Sequence, residues 1–420
     1  QPPIHPLPPT RPSQRKRLKK IEGDWNFGRF LAYNGKRMQH LSASSEASPL
    51  TKSTEQSLGP PAVKFSAGDR FMAELRRRVD AYFATTGRSP RDCPTMYLKT
   101  ALILSTCAAA YWLLVFVVSA WWLAVPLAVL LGLAMAAVGL NIQHDAGHRA
   151  YSRHGWINRM MARTLDLVGG SSYIWDWKHN SMHHTYTNIA GHDDDIDVGF
   201  LGRLAPEQRR LWFHRLQHIY LWFLYGFLTI KWQLFDDFHN VAAGRIDQKR
   251  IPRPRGTELA VFIVGKVMFF SLALVIPALL HPLWLVVPMY ILASFVCGVT
   301  LGVVFQLAHC VEAAQFPVPN DAGRMETDWA VHQLRTTADF ARGNRLLTWL
   351  IGGLNFQVEH HLLSGICHIH YPALSPLVQQ ACEGLGLPYH AHRGFLSALA
   401  SHFRWLRRMG SPDRQVGAFC

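Results

Sequence analysis

Apolar residues gather into four long runs, at 98–120, 121–143, 258–280 and 283–308, with polar residues crowded between the second and third and outside the first and last. Each run meets the ~20-residue length a helix needs to cross about 30 Å of hydrocarbon. Inside a bilayer no water satisfies backbone N–H and C=O groups, so such segments are helical. The connections within each pair, near 119–122 and 281–284, are only a few residues long and contain no Lys or Arg. They predict two antiparallel hairpins. Elsewhere the intervening sequence carries short helical patterns and few alternating strands. The expected fold class is therefore all-α: a multi-pass membrane protein with four transmembrane helices as two hairpins and a helical cytosolic cap.

Charge sets the sidedness. Arg76, Arg77, Arg78, Arg88, Arg91 and Lys99 lie before or at the start of the first run, and Arg203, Arg209, Arg210, Arg245, Lys249, Arg250, Arg253 and Arg255 between the pairs. The positive-inside bias places these segments, and with them both termini, on the cytoplasmic side. Trp121, Trp122 and Trp284 then sit at the far interface or in ordinary packing. A shorter apolar segment, 219–230, falls short of a crossing and is expected to be interfacial or re-entrant. Lys266, inside the third run, must snorkel to the rim or point into the bundle.

The chain has 420 residues, 49% of them hydrophobic, and its mean hydropathy is only +0.04, the signature of a mosaic of apolar spans and polar connections. Its net charge of +15 is spread over the loops flanking the spans and accompanies no zinc-finger or ribonucleoprotein motif, so lipid and an acidic partner fit and nucleic acid does not. Residues 1–62 are rich in Pro, Ser and Gln, with a basic knot at 15–20, and read as a disordered tail. The membrane domain is expected over 63–400 and a basic tail over 401–420. Seven cysteines without a Cys-x-x-Cys pair predict free thiols in a reducing compartment.

Against this frame, eight histidines cluster just outside the apolar runs: His144 and His148; His179, His183 and His184; His309; His360 and His361. On a helix, residues four apart share a face, so His144 with His148 and His179 with His183 can each grip one ion. Adjacent pairs, 183 with 184 and 360 with 361, diverge by ~100° and suit two neighbouring ions. Eight imidazoles exceed the needs of a tetrahedral structural zinc, and the pattern predicts a dinuclear metal site. Any of these histidines alone would be read as an ordinary surface or core residue. Asp145 and Glu359, and in the loop Asp193, Asp194, Asp195 and Asp197, stand beside the ligands and are candidates to accept the second ring N–H of a coordinating histidine.

At these boxes the chain resembles the membrane fatty acid desaturases, whose pattern is His-x3-4-His, His-x2-3-His-His and a final His/Gln-x2-His-His. Gln357, in place of the first histidine of the third box, resembles the front-end branch, which inserts a double bond between an existing one and the carboxyl end. The runs at 183–197 and 352–362 carry the same likeness, which covers roughly residues 65–400. The resemblance implies a di-iron centre held by His144, His148, His179, His183, His184, His309, His360 and His361, with Gln357 acting through water or orienting a neighbour, because an amide oxygen is a poor iron ligand. It implies O2 as co-substrate, an acyl-CoA or acyl-lipid substrate, and a cis double bond as product. The sequence lacks the His-Pro-Gly-Gly haem motif of a fused cytochrome b5 domain, so electrons are expected from a separate donor of cytochrome b5 or ferredoxin type. Phe305, four residues before His309, departs from a related branch that has Asn there.

Tyr173, Trp175 and Trp177 lead into the second box and are expected either to wall an acyl channel or to pack in the core. Arg149 and Lys178 are candidates to meet a phosphate or coenzyme A head group. Two other readings remain open: a fatty acyl hydroxylase or conjugase on the same scaffold, which product mass separates, and a metal transporter, which would place its ligands near mid-membrane.

Overall fold

The computed structural model describes residues 63–412; the tail expected over 1–62 and residues 413–420 lie outside the described residues. Among the described residues four helices are long and apolar enough to cross a membrane: Pro94–Val117, Trp121–Gly147, Thr257–Leu280 and Leu283–His309. Their positions agree with the apolar runs to within a few residues. At the ends they differ in a way that matters. The second and fourth helices continue through His144 and up to His309, so these side chains ride on the spans themselves rather than on loops beyond them.

The second and fourth spans form the inner pair, with 44% and 56% of their residues buried against 22% in each of the other two. Gly132 permits their close approach, because a Cβ there would overlap the Ala293 carbonyl oxygen. Small residues at such crossings replace the hydrophobic drive that lipid cannot supply. Within the spans the helical ladder is widened into π-turns over Leu113–Val117, Val138–Gln143 and Ser271–Val275. The second of these turns immediately precedes His144.

The segment expected to be interfacial is a broken helix, Gln217–Leu224, Tyr225–Phe227 and Leu228–Lys231, too short to cross. Leu221 and Tyr225 point inward while Ile219 and Phe223 face out. It is pinned along the fourth span, where the Thr229 hydroxyl donates to the Ser294 carbonyl at 2.6 Å. Lys266 points into the bundle: it is buried, 2.7 Å from the Asp237 carboxylate and 2.7 Å from the Gly169 carbonyl oxygen.

The remaining helices pack among themselves and against the spans. Helix Arg70–Thr86 is amphipathic, burying Phe71, Leu75, Val79 and Phe83 against Val358 and Leu362 of helix Gln357–Leu363 and against Leu374 and Val378. The expected boundary at residue 400 falls inside helix Phe395–Gly410, whose Trp405, Leu406 and Met409 pack against Ile196, Leu204 and Leu221. Through Gly410 the residues expected as a basic tail are helical, with Arg404 and Arg407 exposed, Arg408 half-buried and Trp405, Leu406 and Met409 buried. Only four two-residue strands occur among the described residues, so the all-α expectation holds. Cys93, Cys107, Cys297, Cys310, Cys367 and Cys382 are all free thiols.

Candidate metal centre

Four chain segments deliver the histidines to one buried locus. His144 and His148 come from the end of the second span, His309 from the end of the fourth, and His360 and His361 from helix Gln357–Leu363. The second box departs from a regular α-helix. Asp176–His183 is π-helical, and its wider i to i+5 turn brings His179, His183 and His184 toward one side. The ring of Trp175 stacks on that of His179 at 4.6 Å, which fixes the imidazole plane.

All eight rings are buried. One ring nitrogen from each of His144, His148, His179 and His360 falls within 4.8 Å of the others, as does one from each of His183, His309 and His361. His184 shares a third such group with His360 and His361. The first two groups share no residue, and the third joins them through His360 and His361. His144 Nε2 and His184 Nε2 each stand 3.2 Å from His179 Nε2.

The outward nitrogens explain which atoms face inward. His183 Nδ1 donates to the Asp193 carboxylate at 3.0 Å, His361 Nδ1 to Gln333 Oε1 at 2.8 Å, and His309 Nδ1 to the Thr336 carbonyl at 3.3 Å. A ring whose Nδ1 carries the proton presents the Nε2 lone pair on its other side. Both nitrogens of His148, Nδ1 of His184, and Nε2 of His360 and His361 are buried without a hydrogen-bond partner. Orphaned buried nitrogens are costly, and five of them on four rings of these groups fit a cation-binding site. Burial, reinforced by neighbouring imidazoles, pushes His148, His179, His184, His360 and His361 well below the ordinary histidine range. They are neutral, the state in which imidazole binds metal. The donor set fits iron, and equally copper or zinc.

Gln357 is buried and lines the small cavity between the rings, together with Phe305 and Gln306. The two carboxylates singled out beside the boxes face elsewhere. Asp145 accepts from His368 Nδ1 at 2.8 Å, and His368 Nε2 in turn faces Lys99 Nζ at 3.0 Å. Glu359 accepts from the Tyr389 hydroxyl at 2.8 Å; burial first, then the neighbouring Asp339, push its carboxyl well above the usual range. Successive helical side chains diverge by ~100°, and these two carboxylates turn toward His368 and Tyr389 instead, which is why adjacency in sequence misleads here. The carboxylate that hydrogen-bonds a box histidine is Asp193, whose oxygens also accept from the backbone N–H of Asn188 and Asp195, and the Asp195 carboxylate stands 3.6 Å from Nδ1 of both His179 and His183.

Two neutral side chains give no signal in the sequence. Gln333, from helix Trp329–Thr336, bonds His361 and Thr187 and donates to the His184 carbonyl. Asn188, in the left-handed region at φ 59°, donates from one amide to the carbonyls of His309, Gln315 and Thr336. Each joins segments more than a hundred residues apart.

Of the aromatic trio, Trp175 alone lines the larger cavity, about 430 Å³, that leads past Ile174, Leu228 and Trp232 to His179 and Phe305. Trp177 is buried instead among Ile174, Met182, Ile246 and Ile251. Tyr173 donates to the Pro252 carbonyl at 2.6 Å. These two are packing residues, so the expected three-residue channel wall reduces to one. Lys178 reaches that cavity, but its ammonium is paired with Asp194 at 2.6 Å, which removes it as a ready phosphate ligand. Arg149 is exposed, at φ 60°, on the turn after the first box.

Spans of this length ending in a buried cluster of imidazoles that could hold a metal ion define a candidate membrane metalloprotein. Comparison with known proteins names the group. Residues 120–393 match the fatty acid desaturase family, and the chain belongs to it. It is 39% identical over 357 residues to the sn-1 linoleoyl-lipid 6-desaturase of Arthrospira platensis, covering 84% of this chain and 96% of that one. The protein of the same description from Synechocystis is 38% identical over 356 residues, covering 84% and 98%. An acyl-lipid (8-3)-desaturase of Physcomitrium patens is 36% identical over 347 residues, covering 82% and 72%. The chain is a fatty acyl desaturase, an oxidoreductase acting on acyl lipids.

Proposed function

We propose that the eight histidines hold two iron ions and that the enzyme inserts a cis double bond, by the front-end mode, into an acyl chain carried on a membrane lipid. The observation that carries this reading is the set of orphaned, buried imidazole nitrogens on rings that fall into two separate groups joined by a third. Gln357 faces the same cavity and contributes through a bound water. The lipid-borne substrate is supported by relatives named for linoleoyl-lipid and acyl-lipid desaturation.

Atoms balance as follows: the –CH2–CH2– unit loses two hydrogens, O2 takes two electrons and two protons from outside, and two waters leave. When bound, the irons supply the activated oxygen that no side chain can provide. The protein's own part is positioning. Asp193, Gln333 and the Thr336 carbonyl hold imidazole planes and tautomers, and Trp175 with Phe305 shapes a dry wall beside His179. Electrons come from a separate donor of cytochrome b5 or ferredoxin type. Both pairs of spans form hairpins, placing the cap, the metal centre and both ends of the chain on the cytoplasmic face.

His183→Ala and His360→Ala test the assignment. Membranes carrying either variant should contain inserted protein, lack stoichiometric iron and form no product from labelled acyl lipid, O2 and donor. Mass spectrometry separates loss of two hydrogens from gain of one oxygen. Full activity in either variant, or wild-type protein without iron, would overturn the proposal.

A further inference from the structure

The thiols of Cys93 and Cys367 take no part in holding the imidazoles, yet they meet in one buried cluster with Met96, Ile142 and Tyr151. Cys93 is the N-cap of the first span's helix, Pro94–Trp112, with Pro94 at its first position. Cys367 lies in the turn after helix Gln357–Leu363. Two bonds fasten these segments to each other: the Cys367 N–H donates to the Pro90 carbonyl at 2.9 Å, and Arg91 Nε to that of Gly365 at 3.1 Å. The two thiols are themselves hydrogen-bonded.

The pair is chemically unequal. His370 Nε2 donates to the Ser89 carbonyl at 2.9 Å, and the same nitrogen stands 3.2 Å from Cys93 Sγ, so it faces the sulfur with an N–H rather than a lone pair. Cys93 also sits at the end of a long helix, where unpaired backbone N–H groups concentrate positive charge. Such surroundings favour the thiolate, which is the nucleophilic form. The hydrogen bond from Cys367, opposed by burial and aided by His370, holds the Cys93 thiol below the ordinary range, while burial and then Cys93 push Cys367 well above it. Cys93 keeps 7% of its surface exposed and Cys367 none. The accessible member is thus the one disposed to attack, and the enclosed member retains its proton.

We propose that Cys93 and Cys367 form a redox-active dithiol that takes a peroxide as oxidant, closing a disulfide between the start of the first span and the turn after the third box. The Cys93 thiolate attacks one peroxide oxygen: the S–O bond forms, the O–O bond breaks, and the departing hydroxide takes up a proton and leaves as water. Cys367 then gives up its proton and attacks the Cys93 sulfur. The S–S bond forms, the S–O bond breaks, and the second hydroxide leaves as water with that proton. The two sulfurs lose two electrons and the peroxide gains two. When a donor's two electrons and two protons reach O2 but no acyl hydrogens follow, the product is hydrogen peroxide. This local source of oxidant rests on the oxygen-dependent reading above; the thiol chemistry stands without it. His368, next to Cys367, bonds Asp145 beside His144, so the disulfide closes one residue from a contact with the first box.

The test uses the full-length protein in phosphatidylcholine vesicles, with hydrogen peroxide as the probe. After timed exposure, thiols still reduced are alkylated under denaturing conditions, and the peptides are mapped by mass spectrometry without reduction. Cys93 and Cys367 should lose their thiols together, at least about tenfold faster than Cys310 and Cys382, whose burial leaves almost no thiolate. Their peptides should be joined, and dithiothreitol should separate them. In Cys367→Ser, Cys93 should instead collect a dimedone adduct of its sulfenic acid; in Cys93→Ser, Cys367 should react no faster than Cys382. Loss of Cys310 ahead of Cys93, unjoined peptides, or a Cys93 no faster than Cys382 overturns the proposal, and the wild-type map alone decides if either variant fails to fold. A wild type that closes the disulfide yet forms no double bond in any acyl lipid sinks only the functional reading.

Discussion

His183 Nδ1 lies 3.0 Å from the carboxylate of Asp193, ten residues on and fully buried, making this the one ion-pair-like tether among the described bonds to a box histidine shorter than 3.5 Å. Burial alone would lower the His183 imidazole, but the Asp193 charge outweighs it and holds proton affinity above the ordinary histidine value. Asp193→Asn keeps shape and removes that charge. Partners of this kind are typically worth 10–100-fold in metal affinity or activity, so the variant should lose about that factor. Iron content after graded chelation, compared with wild type, measures it; unchanged retention would show that Asp193 serves only the Asn188 turn.

Asp92 offers a pH-dependent check away from the metals. It bonds the Ser152 hydroxyl at 2.5 Å, Arg153 Nε at 2.8 Å and the Tyr97 hydroxyl at 2.8 Å, tying the start of the first span to the loop after the first box. Burial raises its carboxyl, but the bonds to Ser152 and Arg153 prevail and hold it down to about 2. A depressed carboxylate stabilises above the ordinary value near 4 and loses that contribution as pH falls toward 2. Asp92→Asn should therefore cost about 1 kcal/mol at neutral pH, after allowance for solvent screening, and nothing in strong acid. The gap between the two melting curves should close on acidification.

The buried pair of Lys266 and Asp237 gives a sharper stability test. Removing one partner strands the other's charge, which costs about 3–5 kcal/mol, whereas replacing both with apolar residues is often close to neutral. Lys266→Met should sharply reduce folded protein recovered from membranes, and adding Asp237→Leu should restore much of it. A double variant no better than the single would show that Lys266 acts chiefly on the Gly169 carbonyl.

Gly352 is the tightest backbone contact behind the third box. Its φ is 68°, and a Cβ would overlap the Leu140 carbonyl oxygen in the π-turn before His144. Gly352→Ala meets both the left-handed penalty of about 1–2 kcal/mol and a backbone clash. It should lower both thermal stability and turnover, because the turn leading into the helix of His360 and His361 must retreat from the second span. Normal activity would show that the two boxes keep their registry without this contact.

Spans and boxes were open to reading from sequence because each is written in local spacing: some twenty apolar residues, or histidines three and four apart. Their pairing with the rest of the molecule was not. Asp145 stands beside His144 but bonds His368, which is 223 positions away. No periodicity marks Gln333 or Asn188, since an amide that donates to a distant carbonyl leaves no trace in local composition. The basic stretch after residue 400 shows the same limit. Helix Phe395–Gly410 carries three exposed or half-exposed arginines, Arg404, Arg407 and Arg408, and such a basic stretch resembles a tail until its buried Trp405 and Leu406 are seen.

The Asn188 amide, joined to three carbonyls, is uncharged. Ion pairs fade as mobile ions crowd around them, but an amide dipole buried among peptide groups is nearly blind to that atmosphere. A catalyst seated against lipid head groups meets counter-ion concentrations that vary with every change in membrane composition. Fastening the second box to the end of the fourth span through a neutral amide makes the centre's dimensions independent of the weather at the surface beside it.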